Sequence, residues 1–541
     1  MPTPEVTGQA VLQPINLTAP GFLGVNTDKG AAILNPAWAT AANNAVFDDV
    51  GRLATRKGFT SGTSTPVAGI IKRVHEYVKA DGTSEIISST DADIFSGIAT
   101  PTSIEGSLGI TNGNIKFVNF NDKCIALGTG TSSNPSVYTG GGSFTTVTVA
   151  SGTAPTSGIG TAAMGRLWVV DQDGKTIRYS ALLDETKWDT ADGGGEIDMS
   201  KVWVAGQDQV VAIEEFAGDI VVFGKNQIII WTDGAASEIG INPTDLYIAD
   251  TLPGMGAISQ FAITKVEGDL WFLTPNGVES LLRARTDRTT PTFSVTENVS
   301  DEIQGFMFVE ADEDDITLAY SPQEAFAVLN FPTANRQIVI SSKTQRDPAT
   351  SLNMFPITTW TSELQTIAYR KSTRTLLCSL TDTVGEIMTY DGNLDNGSSY
   401  SFSYESGWLD LGEQNATFMK WVKKLTSIVF VSSSTTLNYT FKYDFETTGR
   451  THQVDVAGNT GAEFNVSEFT DSSTGIGYND PNESVLVETQ FGGGLTLRKL
   501  PVPGAGGGQY IKVGISLDNA AGAFALQQIN LYAKLGRIAN V

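Results

Sequence analysis

The chain has 541 residues, 40% of them hydrophobic and 17% charged, with 56 glycines; this excludes a disordered chain and a coiled coil and leaves room for more than one domain. The net charge of −24 argues against a protein that grips nucleic acid through its phosphates. Two Cys and two His leave little scope for a zinc site, a disulfide framework or histidine-dependent catalysis, and no cofactor is expected.

No run of ~18 apolar residues occurs, so no membrane-spanning helix is expected. The start Met1-Pro2-Thr3-Pro4-Glu5 lacks the pattern of a secretory signal. Residues 1–65 are punctuated by Pro2, Pro4, Pro14, Pro20 and Pro36 and show no sustained apolar period. They read as an extended arm lying on the body or on a partner, with a short helical turn at 36–44.

From 66 to 399 a pattern recurs: a β-rich run, a turn, a very apolar strand, another turn, a third strand. The apolar strands begin at Glu85, Lys123, Arg166, Asp219, Asp269, Ala325 and Thr375. Asn121-Asp122, Met164-Gly165, Ala217-Gly218 and Glu267-Gly268 are turns just before four of them. Units of roughly 40–50 residues with three or four strands are the signature of β-propeller blades. Apolar strands buried on both faces are what stacked blades require. The expected fold is all-β: a propeller of six or seven blades, with a pair of β-sandwiches as the competing arrangement.

Residues 400–541 change character. Tyr400–Tyr404, Leu437–Tyr443 and Tyr510–Leu517 alternate apolar and polar residues, which predicts a β-sandwich-like domain with one wet face. The glycine tracts at 492–494 and 504–508 read as hairpin or loop tips. This part carries a net charge of −3, so the first 399 residues carry −21.

No catalytic constellation emerges. His75 and His452 read as ordinary strand or surface histidines, Cys124 and Cys378 as buried small hydrophobes, and Asp171-x-Asp173-Gly174 as a plain turn rather than a calcium loop. No phosphate-binding P-loop is present. The densest charge run is Glu310, Asp312, Glu313, Asp314 and Asp315, inside a stretch from Thr289 to Asn335 without Lys or Arg. It reads either as a solvated loop between blades or as the lining of a channel.

Two strings are more specific. Asn43-Asn44-Ala45-Val46-Phe47-Asp48-Asp49-Val50-Gly51-Arg52-Leu53-Ala54-Thr55-Arg56-Lys57-Gly58-Phe59 resembles a segment near the N-terminus of short-tailed phage tail proteins. Gly165-Arg166-Leu167-Trp168-Val169, with Tyr179-Ser180, Trp188 and Gly195-Glu196-Ile197-Asp198 behind it, is similar to a second segment of the same group. The group is the tail nozzle family, also called tail tubular protein B or packaged-DNA stabilisation protein. The resemblance implies a non-enzymatic virion component, assembled in the host cytoplasm as a homo-oligomeric, hexameric ring of the tail. Its partners would be portal-adaptor proteins, tail fibres or tailspikes, and viral double-stranded DNA passing nonspecifically through the lumen, with Glu310, Asp312, Glu313, Asp314 and Asp315 as candidate channel lining. The alternative is a carbohydrate-binding or depolymerising virion propeller.

Overall fold

The computed structural model of the chain describes residues 13–16, 22–32, 34–48, 51–130, 134–233, 243–286, 294–347, 351–381, 384–410, 418–456, 496–504, 506–519 and 522–538. The chain forms two compact units. One comprises 61–342 and 362–390, the other 1–60, 343–361 and 391–541.

The first unit is a seven-bladed β-propeller. Its blades follow one another along the chain, and their innermost strands are Arg73–Val78, Lys116–Phe120, Gly160–Ala163, Val210–Phe216, Ile263–Val266, Thr317–Ser321 and Leu364–Arg370. Each pairs antiparallel with the next strand of its own blade. Those second strands are the seven apolar runs legible in the sequence. Asp219–Gly224 is buried at all but its first residue and Phe326–Phe331 throughout, as blades packed on both faces demand. Neighbouring blades share cores: Trp168, Ile177, Ile213 and Val222 join the third to the fourth, and Phe223 and Phe272 the fourth to the fifth.

The turns into the second strands explain their sequences. Asn121-Asp122, Met164-Gly165, Ala217-Gly218 and Glu267-Gly268 all have positive φ at both positions. That is the two-residue hairpin geometry matched to strand twist. The ring closes because Leu364–Arg370 lies beside Arg73–Val78. Val67–Ala68 pairs with Val384–Gly385, and the Gly62 N–H donates to Ile387 O at 3.0 Å. The outermost strand of the last blade is Phe59–Ser61, whose final residue opens this unit. Segments from the start and the end of this unit's sequence complete one blade and tie the ring shut without a covalent link.

The second unit is a β-sandwich. One sheet runs Ala45–Phe47, Leu53–Thr55, Phe524–Ile538, Phe418–Val431, Thr496–Pro503, with Gln13–Asn16 also on Phe524–Ile538. The other includes Ile357–Trp360, Gly24–Val25, Trp38–Asn43, Tyr400–Ser406, Ile511–Asn519, Thr435–Tyr443 and Arg450–Val456. Alternation in Tyr400–Ser406 and Thr435–Tyr443 puts Phe402, Tyr404, Leu437, Tyr439 and Phe441 in the core. Phe402 meets Phe524 of the facing sheet edge-on at 5.3 Å.

The expected arm is therefore corrected in its described part. Trp38–Asn43 is a strand, not a helical turn, and pairs antiparallel with Tyr400–Ser406. Leu53–Thr55 pairs with Phe524–Ile538. These segments carry no local periodic signal because each fills one slot in a sheet whose other strands come from the far end of the chain. Of the two glycine tracts, 492–494 lies outside the described residues. Gly507–Gly508 is a short strand against Lys420 and Trp421 rather than a tip.

Candidate functional site

The innermost strands of a propeller surround an axial passage. Here it is a cavity of about 480 Å³. Six of the seven blades contribute side chains, among them Arg73, Lys116, Phe117, Phe261, Tyr320 and Tyr369.

One end of this passage is occupied by the acidic run. Glu313–Asp315 is a single 3-10 turn, capped by the Asp312 carboxylate, which accepts from the Asp314 N–H at 3.0 Å. The run is extensively tied to other blades. Lys72 Nζ sits 2.9 Å from Asp315 Oδ2. Asn114 Nδ2 donates to Asp315 Oδ1 at 3.1 Å and to Asp312 Oδ2 at 3.3 Å. Ser259 Oγ donates to Asp314 Oδ1 at 2.7 Å. Arg73 Nη2 donates to the Asp314 carbonyl. Glu310 stands apart from the turn and accepts from the Thr333 and Ala334 N–H groups, each at 3.2 Å. The first, second and fifth blades are thereby stitched together at one end of the axis.

The electrostatics follow from this. Arg73 is buried, with its Cζ 3.7 Å from the Phe261 ring centroid. Burial pushes its guanidinium down to about 10, against the opposing pull of Asp315, Asp314 and Asp312, so it stays charged at neutral pH. Although Asp314 exposes much of its residue surface, its carboxylate turns inward onto Ser259. Desolvation there raises it above the ordinary carboxylate range, with Asp312 and Asp315 adding to the rise and Ser259 and Arg73 opposing it.

Farther along the axis Lys116 Nζ pairs with Glu214 Oε1 at 3.1 Å and Lys265 Nζ with Glu215 Oε2 at 2.6 Å. His75 Nε2 lies 3.1 Å from Asn119 Oδ1, and the ring stacks on Phe117. Burial pushes the imidazole down to about 4, with the Asn119 hydrogen bond opposing and Lys116 reinforcing the shift. His75 lies on the strand Arg73–Val78, partly exposed, as its sequence context suggests. The sign of its pH effect follows. Between about 4 and 6.5 the unfolded chain binds the proton and the folded chain does not, so stability falls as pH drops through that window. Relative to His75→Gln, the unsubstituted protein is expected to lose about 1 kcal/mol more between roughly pH 7.5 and pH 5.5. Urea unfolding of both proteins at the two pH values checks this.

Other candidates resolve into structure. Asp173 accepts from the Lys175 and Thr176 N–H groups and the Thr176 hydroxyl, and Asp171 pairs with Arg178 at 3.0 Å, which is a turn. Among the described residues no cluster of three His, Cys, Asp or Glu has metal-binding geometry. Cys124 and Cys378 are buried and unbridged, and burial pushes the Cys124 thiol up. His452 sits in Arg450–Val456 opposite Tyr439. Sequence reasoning missed Arg73, Lys116, Phe261, Tyr320 and Tyr369. Each is one residue per blade, and no motif spans them.

No protein-family model matches this chain, and no curated protein matches it. Among solved structures it is similar to streptogramin B lyase, at 13% identity and a TM-score of 0.34 over 62% of this chain and 96% of that one. It is also similar to PorZ, a surface component of the type-IX secretion system of Porphyromonas gingivalis, at 10% identity and a TM-score of 0.35 over 73% and 46% of the two chains. A third is an auxiliary nutrient binding protein from Bacteroides thetaiotaomicron, at 8% identity and a TM-score of 0.34 over 65% and 84%. At these levels the likenesses transfer no activity. The propeller rests on the order and pairing of the strands in the chain's own seven blades.

Proposed function

We propose that this protein is the tail nozzle of a short-tailed phage, a ring-forming virion component that retains packaged DNA and passes it at genome ejection. The observation that carries the reading is the string Asn43 to Phe59. Of its described residues, Ala45–Phe47 pairs with the buried strand Leu53–Thr55 and Arg56 pairs with Asp395, so the resemblance falls on residues that build the unit. The second string falls in the third blade, where Trp168, Tyr179 and Trp188 are buried. Arg166 Nη1 there donates to the Ser180 carbonyl at 2.8 Å and to the Gly193 carbonyl at 2.5 Å.

The charge is compatible with a conduit. A duplex that must slide should meet little net attraction per phosphate. In this reading Asp312 and Glu313, exposed on the acidic turn, face the DNA path of a ring whose subunits make closed heterologous contacts. Asp315 is committed to Lys72 and contributes less field. Each exposed carboxylate acts over about 8 Å at physiological salt, so only a ring of copies matters.

The role is expected to be non-enzymatic. Purified protein should give no turnover of polysaccharides, peptidoglycan or nucleotides. Reproducible hydrolysis abolished by one carboxylate substitution would favour a depolymerising propeller instead. The direct test is electron microscopy of virions with the protein labelled. Label at the distal tail below the portal adaptor supports the nozzle, and label on the capsid or on lateral fibres refutes it.

A further inference from the structure

Three strands of one sandwich sheet run against the charge of the rest of the chain. Phe418–Val431 lies between Thr496–Pro503 and Phe524–Ile538, and the three contain no Asp or Glu, in a chain with 59. Their register sorts the side chains. Val422, Leu425, Val429, Val502, Leu531 and Ala533 are buried and make the inner face. On the opposite face Trp421 stands across from Lys534, Lys424 across from Tyr532, and Ile428 across from Lys499. Val422 and Lys424 pair with consecutive residues, so Lys423 is the extra residue of a bulge between them. Lys423, Lys424, Lys499 and Lys534 are all exposed, and among the described residues none of the four has an ion-pair partner. Trp421 is 46% exposed, and its indole lies across Gly507, where an added Cβ would sit 3.0 Å from the ring.

A cationic face of this make-up calls for an anionic occupant, and its residue types narrow which one. Lysine is a strongly hydrated point charge and is depleted from protein–protein interfaces, so the face is poorly suited to a desolvated protein contact. A DNA duplex is a rod that crosses a sheet along one line and reaches only part of the lysines. Its phosphate backbone also gives an exposed indole nothing to stack on. An anionic bilayer is a plane that meets all four lysines at once, and an indole half out of water suits the headgroup level. Each lysine near such a surface strengthens binding about fivefold. The acids elsewhere in the chain are screened beyond about 8 Å at physiological salt.

We propose that this face of the sandwich is a peripheral docking surface for an anionic lipid bilayer, with Lys423, Lys424, Lys499 and Lys534 on the lipid phosphates and Trp421 at headgroup level. The proposal stands apart from the nozzle reading, which is tested by the position of the protein in the virion.

The test is co-flotation of the full-length protein with vesicles of phosphatidylcholine, alone or with about 30% phosphatidylglycerol. Binding at least about tenfold tighter to the anionic vesicles, and lost as salt rises toward ~1 M, supports the proposal. No binding to the anionic vesicles, or equal binding to both kinds, overturns it. Lys423→Gln/Lys424→Gln is expected to weaken the anionic binding about tenfold to thirtyfold, with an unchanged β-type circular-dichroism spectrum. Lys201→Gln, at a propeller lysine whose side chain is 80% exposed, is expected to leave it unchanged, and equal losses in the two variants would overturn the placement. Trp421→Phe removes one of nine tryptophans. The blue shift of tryptophan emission on adding anionic vesicles is expected to vanish with it, and a shift retained in full would put the contact on another face. Binding of a short DNA duplex and self-association are measured alongside. Either of these, abolished by Lys423→Gln/Lys424→Gln in a protein that does not bind vesicles, would give the face to nucleic acid or to a second copy and overturn the bilayer.

Discussion

Arg56→Ala is expected to destabilise the sandwich by about 3 kcal/mol, the low end for breaking a buried ion pair from one side, because the Asp395 side chain keeps 29% of its surface in water. Arg56 is 1% exposed. Its Nη1 donates to Asp395 Oδ1 at 2.7 Å and its Nη2 to Asp395 Oδ2 at 2.5 Å, a bidentate pair. Its Nε donates to Asn44 Oδ1 at 3.1 Å, its guanidinium lies 4.0 Å from the Tyr400 ring centroid, and the Tyr400 hydroxyl donates to its carbonyl. Removing the guanidinium strands Asp395 and opens a cavity beside Phe59 and Trp360. Arg56→Lys keeps the charge but cannot make the fork, so it should recover less than half of the loss. Thermal and urea unfolding measure both, and a loss under about 1 kcal/mol for Arg56→Ala would show that the latch is not structural. The same latch bears on the segment 391–398. Gly58 is packed so closely that an added Cβ would lie 2.0 Å from the Leu394 carbonyl oxygen, so this segment is held down rather than free.

Asp314→Lys/Asp315→Lys is expected to cost at least about 3–5 kcal/mol and to unfold the propeller first. Lys72 would lose its partner at 17% side-chain exposure, and two new cations would face a buried Arg73. Glu313→Lys, on the exposed outer side of the turn, should stay within about 0.5 kcal/mol of the parent. The contrast matters for function. Exchanging the whole run would confuse unfolding with a change in DNA friction, whereas virions carrying only Glu313→Lys report on friction. Under the nozzle reading their ejection slows, and the defect eases at high salt. Equal cost for Glu313→Lys and the double variant would show that the turn is not anchored through Arg73 and Lys72.

The parts of the fold legible in the sequence were those with a local cause. All seven second strands announced themselves, because burial on both faces demands an unbroken apolar run such as Ile220 to Phe223. Four of the hairpins before them announced themselves through a Gly or an Asn-Asp pair, which accept positive φ. What had no local cause stayed hidden. Trp38–Asn43 is a strand only because Tyr400–Ser406 lies beside it. The acidic run was visible as charge, yet its neutralisation depends on Lys72, Arg73, Asn114 and Ser259, which the ring brings in from other blades. The axial site is the extreme case, assembled from residues tens of positions apart on successive inner strands.

Cryo-electron microscopy of the purified full-length protein mixed with its tail adaptor tests the central proposal most directly. The nozzle reading predicts a closed ring, seated on the adaptor, with a continuous lumen wide enough for duplex DNA and the 312–313 corner of each propeller turned toward it. A monomer that never joins the adaptor, or a ring whose axis is too narrow for a duplex, would contradict it.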